Sequence, residues 1–335
     1  MEGDLAMNKI VPIPLLPWHE GELALQATVG AVTQMAEIGR RNIRNYLTQQ
    51  HKDFFPLLPF VILGSVDAGG DAWATLIARH PGFVHATDDT HLAVEAQRDG
   101  GDPADGGMND GDAIGLLGIE PPTRRRNRIN GRIQRTSAGR FTISVEQAFG
   151  NCPKYIHQRH PTFIRDPDAP AIVRSTASDH LDEEARHLIR TCDTLFIATY
   201  LDRDRIHRQV DVSHRGGMPG FVRLADDGVL TIPDFKGNKF FATLGNMLIN
   251  ARVGLLFVDF VTGDMLQLSG RGEVILDPEQ TKVFPGAERL WRFVTTRAVM
   301  RHDAMPLRAA FGDDDLRPHL GAPAISISRA RRSGA

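Results

Sequence analysis

The sequence predicts a mainly β protein: two consecutive β-barrels carrying helices, behind an N-terminal helical segment. The first observation behind this is an internal repeat. Pro81-Gly82-Phe83-Val84 recurs as Pro219-Gly220-Phe221-Val222, Gly115-Leu116-Leu117 as Gly254-Leu255-Leu256, and Gly131-Arg132 as Gly270-Arg271. The first interval is 34 residues in one occurrence and 35 in the other, and the second is 16 in both. Three motifs in one order at matched intervals indicate two copies of one unit. The second observation is the texture between them, short runs rich in Val, Ile, Leu and Phe separated by turn clusters such as Asp67-Ala68-Gly69-Gly70 and Asp226-Asp227-Gly228. That is the pattern of a small antiparallel barrel.

Taken in chain order, residues 1–55 read as an N-terminal helical segment, because Leu23, Leu25, Val29, Val32, Met35, Ile38 and Ile43 form an apolar stripe with no proline over 19–50. Residues 56–158 form the first barrel, opening on Phe60-Val61-Ile62-Leu63, with an acidic, glycine-rich loop over 99–112. That loop lacks the alternating ligands and terminal glutamate of a calcium loop. Residues 159–189 are a Pro-, Asp-, Ser- and Thr-rich connector leading into a helix from about Asp179, with acids near its start. Residues 190–276 form the second barrel, with strands expected at 194–200, 208–213, 220–225, 229–233, 252–260 and 264–275. Phe240, Phe241, Leu244, Leu248 and Ile249 mark a short amphipathic helix over 238–249. Residues 277–335 read as a C-terminal helical tail.

Composition bounds the function. The 335 residues are enough for two ordinary domains, 41% hydrophobic and 24% charged, with no apolar run of eighteen. A net charge of −2 argues against nucleic acid as a partner, and no membrane segment or secretory signal is visible. Two cysteines, Cys152 and Cys192, are too few for a disulfide framework or a four-thiolate metal site, and a cytoplasmic setting is expected. His80, His85 and His91 straddle a Pro-Gly turn, a poor spacing for a shared metal. Dinucleotide, phosphate-loop and nucleophile-elbow motifs are absent from the sequence.

Several segments resemble the FMN-binding split barrel of the pyridoxamine 5'-phosphate oxidase family. Asp234-Phe235-Lys236-Gly237-Asn238-Lys239 resembles its phosphate-binding turn, and Asn250 to Phe257 the helix end and strand that follow. Asp211-Val212-Ser213-His214-Arg215-Gly216-Gly217 sits where that family places a phosphate- and ribityl-binding strand. Arg124 to Arg132 is similar to another family strand, with Arg126 at a glutamine position. Ser-His-Arg-Gly-Gly followed by Pro-Gly-Phe-Val resembles a flavin-nucleotide-binding branch. The basic pair that opens the helix is reduced to Asn238-Lys239, a strand lysine is replaced by Ser213, and the C-terminal Trp/Arg region of the oxidase has no counterpart. The resemblance implies tandem FMN-binding split barrels, with FMN as cofactor and the main site in the second copy.

The chemistry of FMN asks for the same residues. Its dianionic phosphate calls for cations and a helix start, here Arg215, Lys239 and residues 238–241. Ser213 and Asn238 offer hydrogen bonds to phosphate or ribityl oxygens, Gly216 and Gly217 allow close approach, and His214 or Arg126 would suit the N1–C2 edge of the ring. Asn151, Cys152 and Lys154 close the first copy with no counterpart in the second, either as a turn into a helix at Pro153 or as a polar cluster offered to the flavin. Thr75 and Ser213 each stand six residues before their Pro-Gly-Phe-Val, which sets Ile77 opposite Arg215 and leaves the first copy one cation short. The implied function is an FMN-dependent oxidoreductase acting on a small molecule with a small-molecule electron donor. A non-catalytic flavin carrier and an empty barrel pair used for assembly are the alternatives. The barrels are expected to pair as a homodimer or as a pseudo-dimer within one chain.

Overall fold

A computed structural model of the chain describes residues 17–169, 173–202 and 208–311. Of the expected N-terminal helical segment 1–55, residues 1–16 lie outside the described residues, and the rest holds three helices, α1 (Glu20–Thr28), α2 (Val32–Asn42) and α3 (Gln49–Phe54). Gly30, in the left-handed region at φ 62°, turns the chain between the first two. α1 begins at His19, whose Nδ1 accepts from the Gly21 amide at 3.2 Å while Glu22 accepts from the His19 amide at 2.9 Å.

The first barrel comprises β1 (Phe60–Val66), β2 (Ala72–Ala78), β3 (Val84–Ala86), β4 (His91–Glu95), β5 (Ala113–Glu120), β6 (Arg125–Ser137) and β7 (Arg140–Gly150). After β8 (Arg159–Phe163), β9 (Arg174–Ser178) and α4 (Glu183–Thr191) comes the second set. It contains β10 (Thr194–Asp202), β11 (Arg208–Gly216), β12 (Arg223–Leu224), β13 (Leu230–Phe235), α5 (Ala242–Ile249), β14 (Arg252–Val258) and β15 (Met265–Ile275). The described chain ends with α6 (Pro278–Thr281), β16 (Ala287–His302) and β17 (Leu307–Phe311). The two sheets run β2-β1-β5-β6-β7-β4-β3 and β11-β10-β14-β15-β16-β13-β12, the same order strand for strand. All pairs along both paths are antiparallel.

Two expectations need correction here. Residues 287–302 are not a helical tail; they form the longest strand of the second sheet, and only Pro278–Thr281 is helical within 277–311. The tail beyond 311 lies outside the described residues. The segment 159–189, expected as a linker and helix, holds α4 but also two strands, β8 pairing with β17 and β9 adding to β16. The acidic loop over 99–112 carries a short 3-10 turn at Pro103–Gly107, with Asp102 buried at its start.

Side chains from β1, β2, β4, β5, β6 and β7 share one core around Trp73, Phe141 and Ile129, so the sheet curls into a barrel. β10, β13, β14, β15 and β16 do the same around Trp291, Phe293 and Leu255, closed by α4 and α5. A third core lies between the barrels, where Phe60, Ile62, Leu76 and Leu117 meet Phe196, Val212 and Leu256. Strands β1, β5, β10 and β14 are thereby buried on both faces, which explains apolar runs without alternation.

The repeated motifs have matching places in this frame. Gly82 (φ 103°) and Gly220 (φ 86°) turn the chain so that Phe83 and Phe221 enter the two cores. Gly131 and Gly270 sit at matching irregularities, where β6 slips against β7 and β15 against β16. Gly115 lies against the β11 backbone, and Gly254 reciprocally against β2. A Cβ on Gly254 would stand 2.5 Å from the Ala72 carbonyl oxygen. Gly254→Ala should therefore force β14 off β2 and destabilise the chain by about 1–3 kcal/mol. Urea unfolding measures this, and an unchanged midpoint would refute close packing at that crossing.

Candidate functional site

The side chains singled out in the second copy meet the first barrel across the inter-barrel seam. Ser213, His214 and Arg215 lie on β11, Lys239 and Asn238 on the turn between β13 and α5, and Arg126 on β6. Arg126, Asn151, Cys152, His214, Arg215, Asn238 and Lys239 line one pocket, together with Arg128, Tyr155, Asp234, Phe241, Thr243, Glu288 and Arg289. It measures about 90 Å³.

Charge dominates this pocket. Five cations line it, Arg126, Arg128, Arg215, Lys239 and Arg289, against two carboxylates, Asp234 and Glu288. Arg128 is satisfied from behind, donating to both oxygens of Asp211 at 2.9 and 3.1 Å and to the Ser213 hydroxyl at 2.9 Å. Arg289 donates to Asp234 at 3.1 Å and to Glu288 at 2.7 Å, over the ring of Phe241. Arg215 reaches Asp234 only at 3.5 Å, and its Nε is buried without a partner. Arg126 forms no ion pair among the described residues. It donates to the Cys152 carbonyl at 2.8 Å and to His214 Nδ1 at 3.2 Å, with the Cys152 thiol at 3.8 Å. Burial, and secondarily Arg128, pulls the Arg126 pKa down to about 10, which still leaves it charged at neutral pH.

His214 is neutral by geometry. A guanidinium has only donors, so the Nδ1 it faces carries a lone pair and the proton sits on Nε2. Burial, then Arg126, His157, Arg215 and Arg159, holds its pKa well below the ordinary value. His51 is likewise lowered to about 4, by burial and then Arg44. Both bind protons in the unfolded chain that the folded chain refuses, so stability rises with pH through this range. It should be full above about pH 6.5 and fall towards pH 4, by on the order of 2 kcal/mol from His51 alone. Chemical denaturation at stepped pH checks this, and a flat profile from pH 7 to 4 would contradict it.

The turn before α5 is shaped for an anion. Lys239 (φ 64°) and Phe241 (φ 62°) are both left-handed, and no side chain caps the first turn of α5. Asn238 accepts from the Phe240 amide at 3.2 Å, which fixes the turn. Lys239 forms no ion pair among the described residues. Trp18, from ahead of α1, packs edge-on against Phe240 at 4.9 Å and braces the turn from outside.

Three expected contacts fall elsewhere. Ser213 is fully buried, its hydroxyl taken by Arg128 and in contact with Thr243, so it braces Arg128 and has no free edge for a ligand. Gly217 packs on Phe221 and donates to the Asp193 carbonyl at 2.9 Å, away from the pocket. Lys154 is exposed and does not line it. Gly216 does line it, but its missing Cβ makes room for the Tyr155 carbonyl, which lets the end of the first barrel cross β11. No helix starts at Pro153. His80, His85 and His91 do not converge: His80 faces Asp166, His85 the Gly82 carbonyl and His91 Asp88.

Sequence reading carried Arg128 and Asp211 only inside longer segments, with no role of their own, and missed Tyr155 and Arg289 as pocket residues. Arg128 and Asp211 are 83 positions apart and meet only because the barrels do. Arg289 lay in the presumed tail, although Leu290-Trp291-Arg292-Phe293-Val294 carries strand-forming residues.

No family model matches the chain, and no curated protein matches it. Among solved structures it is similar to an FAD-binding protein from Mesorhizobium loti, at 16% identity over 39% of this chain and 99% of that one, TM-score 0.28. A Lactobacillus delbrueckii protein provisionally assigned as a pyridoxamine 5'-phosphate oxidase shares 18% identity over 32% of this chain and 95% of that one, TM-score 0.26. HutZ, the heme storage protein from Vibrio cholerae, shares 13% over 36% and 93%, TM-score 0.24. No described helix is long and apolar enough to cross a membrane.

Proposed function

We propose that the two barrels are copies of one unit paired within the chain, and that their basic pocket binds the phosphate of FMN in an oxidoreductase acting on a small molecule. The observation that carries this is the charge excess. Arg126 has no carboxylate partner, Arg215 is only loosely paired, and Lys239 stands beside an uncapped helix start. Uncompensated buried cations are costly, and a dianion would offset them. A pocket of about 90 Å³ fits a phosphoryl group and falls short of the roughly 300 Å³ where pockets for whole drug-sized ligands begin.

Bound flavin supplies hydride or electron transfer at its ring. The chain's own residues bind and orient: Arg215, Lys239 and the amides of α5 hold charge, Arg126 reaches in from the other barrel, and neutral His214 fixes Arg126. Purified protein should be yellow and release FMN, not FAD, on denaturation. Anaerobic NADH or NADPH should bleach an enzyme and leave a carrier oxidised. Colourless protein that also fails to quench added FMN would overturn the reading.

A further inference from the structure

We propose that the first barrel's side of the seam holds a second binding site, for a molecule with an apolar body and one anionic end. The two strand paths match in order and register. Thr75 pairs with Leu63 as Ser213 pairs with Ile197, and Leu63 and Ile197 pair with the first Leu of their Gly-Leu-Leu motifs. Leu76 and Ile77 therefore stand where the other side has His214 and Arg215. Gly131 and Gly270 align β6 with β15, which sets Met265 at the position of Arg126. Counting along β7 and β16 from the same irregularities sets Ala96 against Asp234. Four polar groups of the basic pocket are thus replaced by Leu76, Ile77, Met265 and Ala96.

These four line a cavity of about 710 Å³, in the range of small-molecule sites and far larger than its counterpart. Its carboxylates are all engaged. Arg301 holds Asp99 and Asp102, Arg98 holds Asp105, Arg79 holds Asp168, and His80 faces Asp166. Arg165 is paired with Asp303. Arg135 differs: its donors all go to the carbonyls of Met108 and Ser137, and it forms no ion pair among the described residues. It lies over the Phe141 ring at 5.2 Å, at the edge of the apolar surface. An apolar floor with one guanidinium at its rim that is held only by neutral carbonyls suits an aryl or alkyl carboxylate or sulfonate. It suits a phosphate dianion less, because four of its five arginines, Arg79, Arg98, Arg165 and Arg301, are already paired with carboxylates.

The test is a fluorescence titration of the full chain with 8-anilinonaphthalene-1-sulfonate. Saturable binding at one site per chain is expected. Arg135→Gln should weaken it about tenfold or more, by loss of a charge-assisted contact. Arg135→Lys should keep it within about threefold, and Ile77→Trp should weaken it by filling the floor. Arg126→Ala, in the basic pocket, should leave it unchanged, and thermal melts establish that each variant is folded. Parent-like binding by Arg135→Gln, no binding by the parent, or loss in Arg126→Ala would overturn the assignment. FMN binding is measured separately, so this site and the flavin reading can fail independently.

Discussion

Replacing Asp211 with alanine should destabilise the folded chain by about 3–5 kcal/mol, because it strands Arg128 as a buried charge between the barrels. Arg128 reaches from β6 to Asp211 and Ser213 on β11, so the loss is felt at the seam and not within either core. Most of that cost belongs to the abandoned cation and little to the pair itself. Adding Arg128→Met to Asp211→Ala should therefore restore much of the stability. Equilibrium unfolding of the two singles and the double checks both halves. A loss below about 1 kcal/mol for Asp211→Ala would show that the pair is wet or unformed.

The second large effect is on the proposed ligand. Arg215→Ala and Lys239→Ala should each weaken FMN binding about tenfold to a hundredfold, the range for losing one charge-assisted phosphate contact. Affinity for riboflavin, which lacks the phosphate, should change little. Arg215→Ala is a clean variant because Asp234 keeps Arg289 at 3.1 Å, so no carboxylate is abandoned. Thr75→Ala is the control from the other barrel. Thr75 is buried and bonded to Asp102, away from the basic pocket, and its loss should cost FMN affinity much less than that of Arg215. Fluorescence-quenching titrations with both flavins decide it, and equal losses for FMN and riboflavin would remove Arg215 and Lys239 as phosphate anchors.

Much of the architecture was legible because the recurring motifs fall at matching places in two sheets of the same strand order. The three motif glycines mark a turn, a seam crossing and a strand irregularity, the first needing a positive φ and the other two a missing Cβ, so they recur at fixed intervals. The strand β16 was not legible. Its counterpart β7 shares no motif with it, since Phe141 is answered by Trp291, and runs of Arg and Thr break the apolar pattern over 292–297. The N-terminal helices were visible by period, but their breaks at Gly30 and at Arg44 were not. Arg44 leaves the helical path to bridge Ala148 on β7, a contact no local rule reveals.

For the site, residue type was legible and depth was not. Arg215 and Lys239 were read as cations for an anion at a helix start and Arg126 as a strand residue for the ring edge, and the structure gathers all three in one pocket. Ser213 looks the same in sequence as a ligand-facing serine, yet it is sealed by Arg128 from the other sheet. Ile77 opposite Arg215 was readable from the spacing. That the loss extends to Leu76, Met265 and Ala96 and opens a larger cavity needs the two sheets in register.

The most direct measurement of the central claim is a quantitative titration of the wild-type chain with FMN and with riboflavin, read by quenching of flavin fluorescence. One basic pocket per chain, with its twin stripped of Arg126, His214 and Arg215 equivalents, predicts one FMN per chain. Riboflavin should bind at least tenfold more weakly, since it leaves the pocket's cations unanswered. Two FMN per chain, or equal affinity for FMN and riboflavin, would contradict the account.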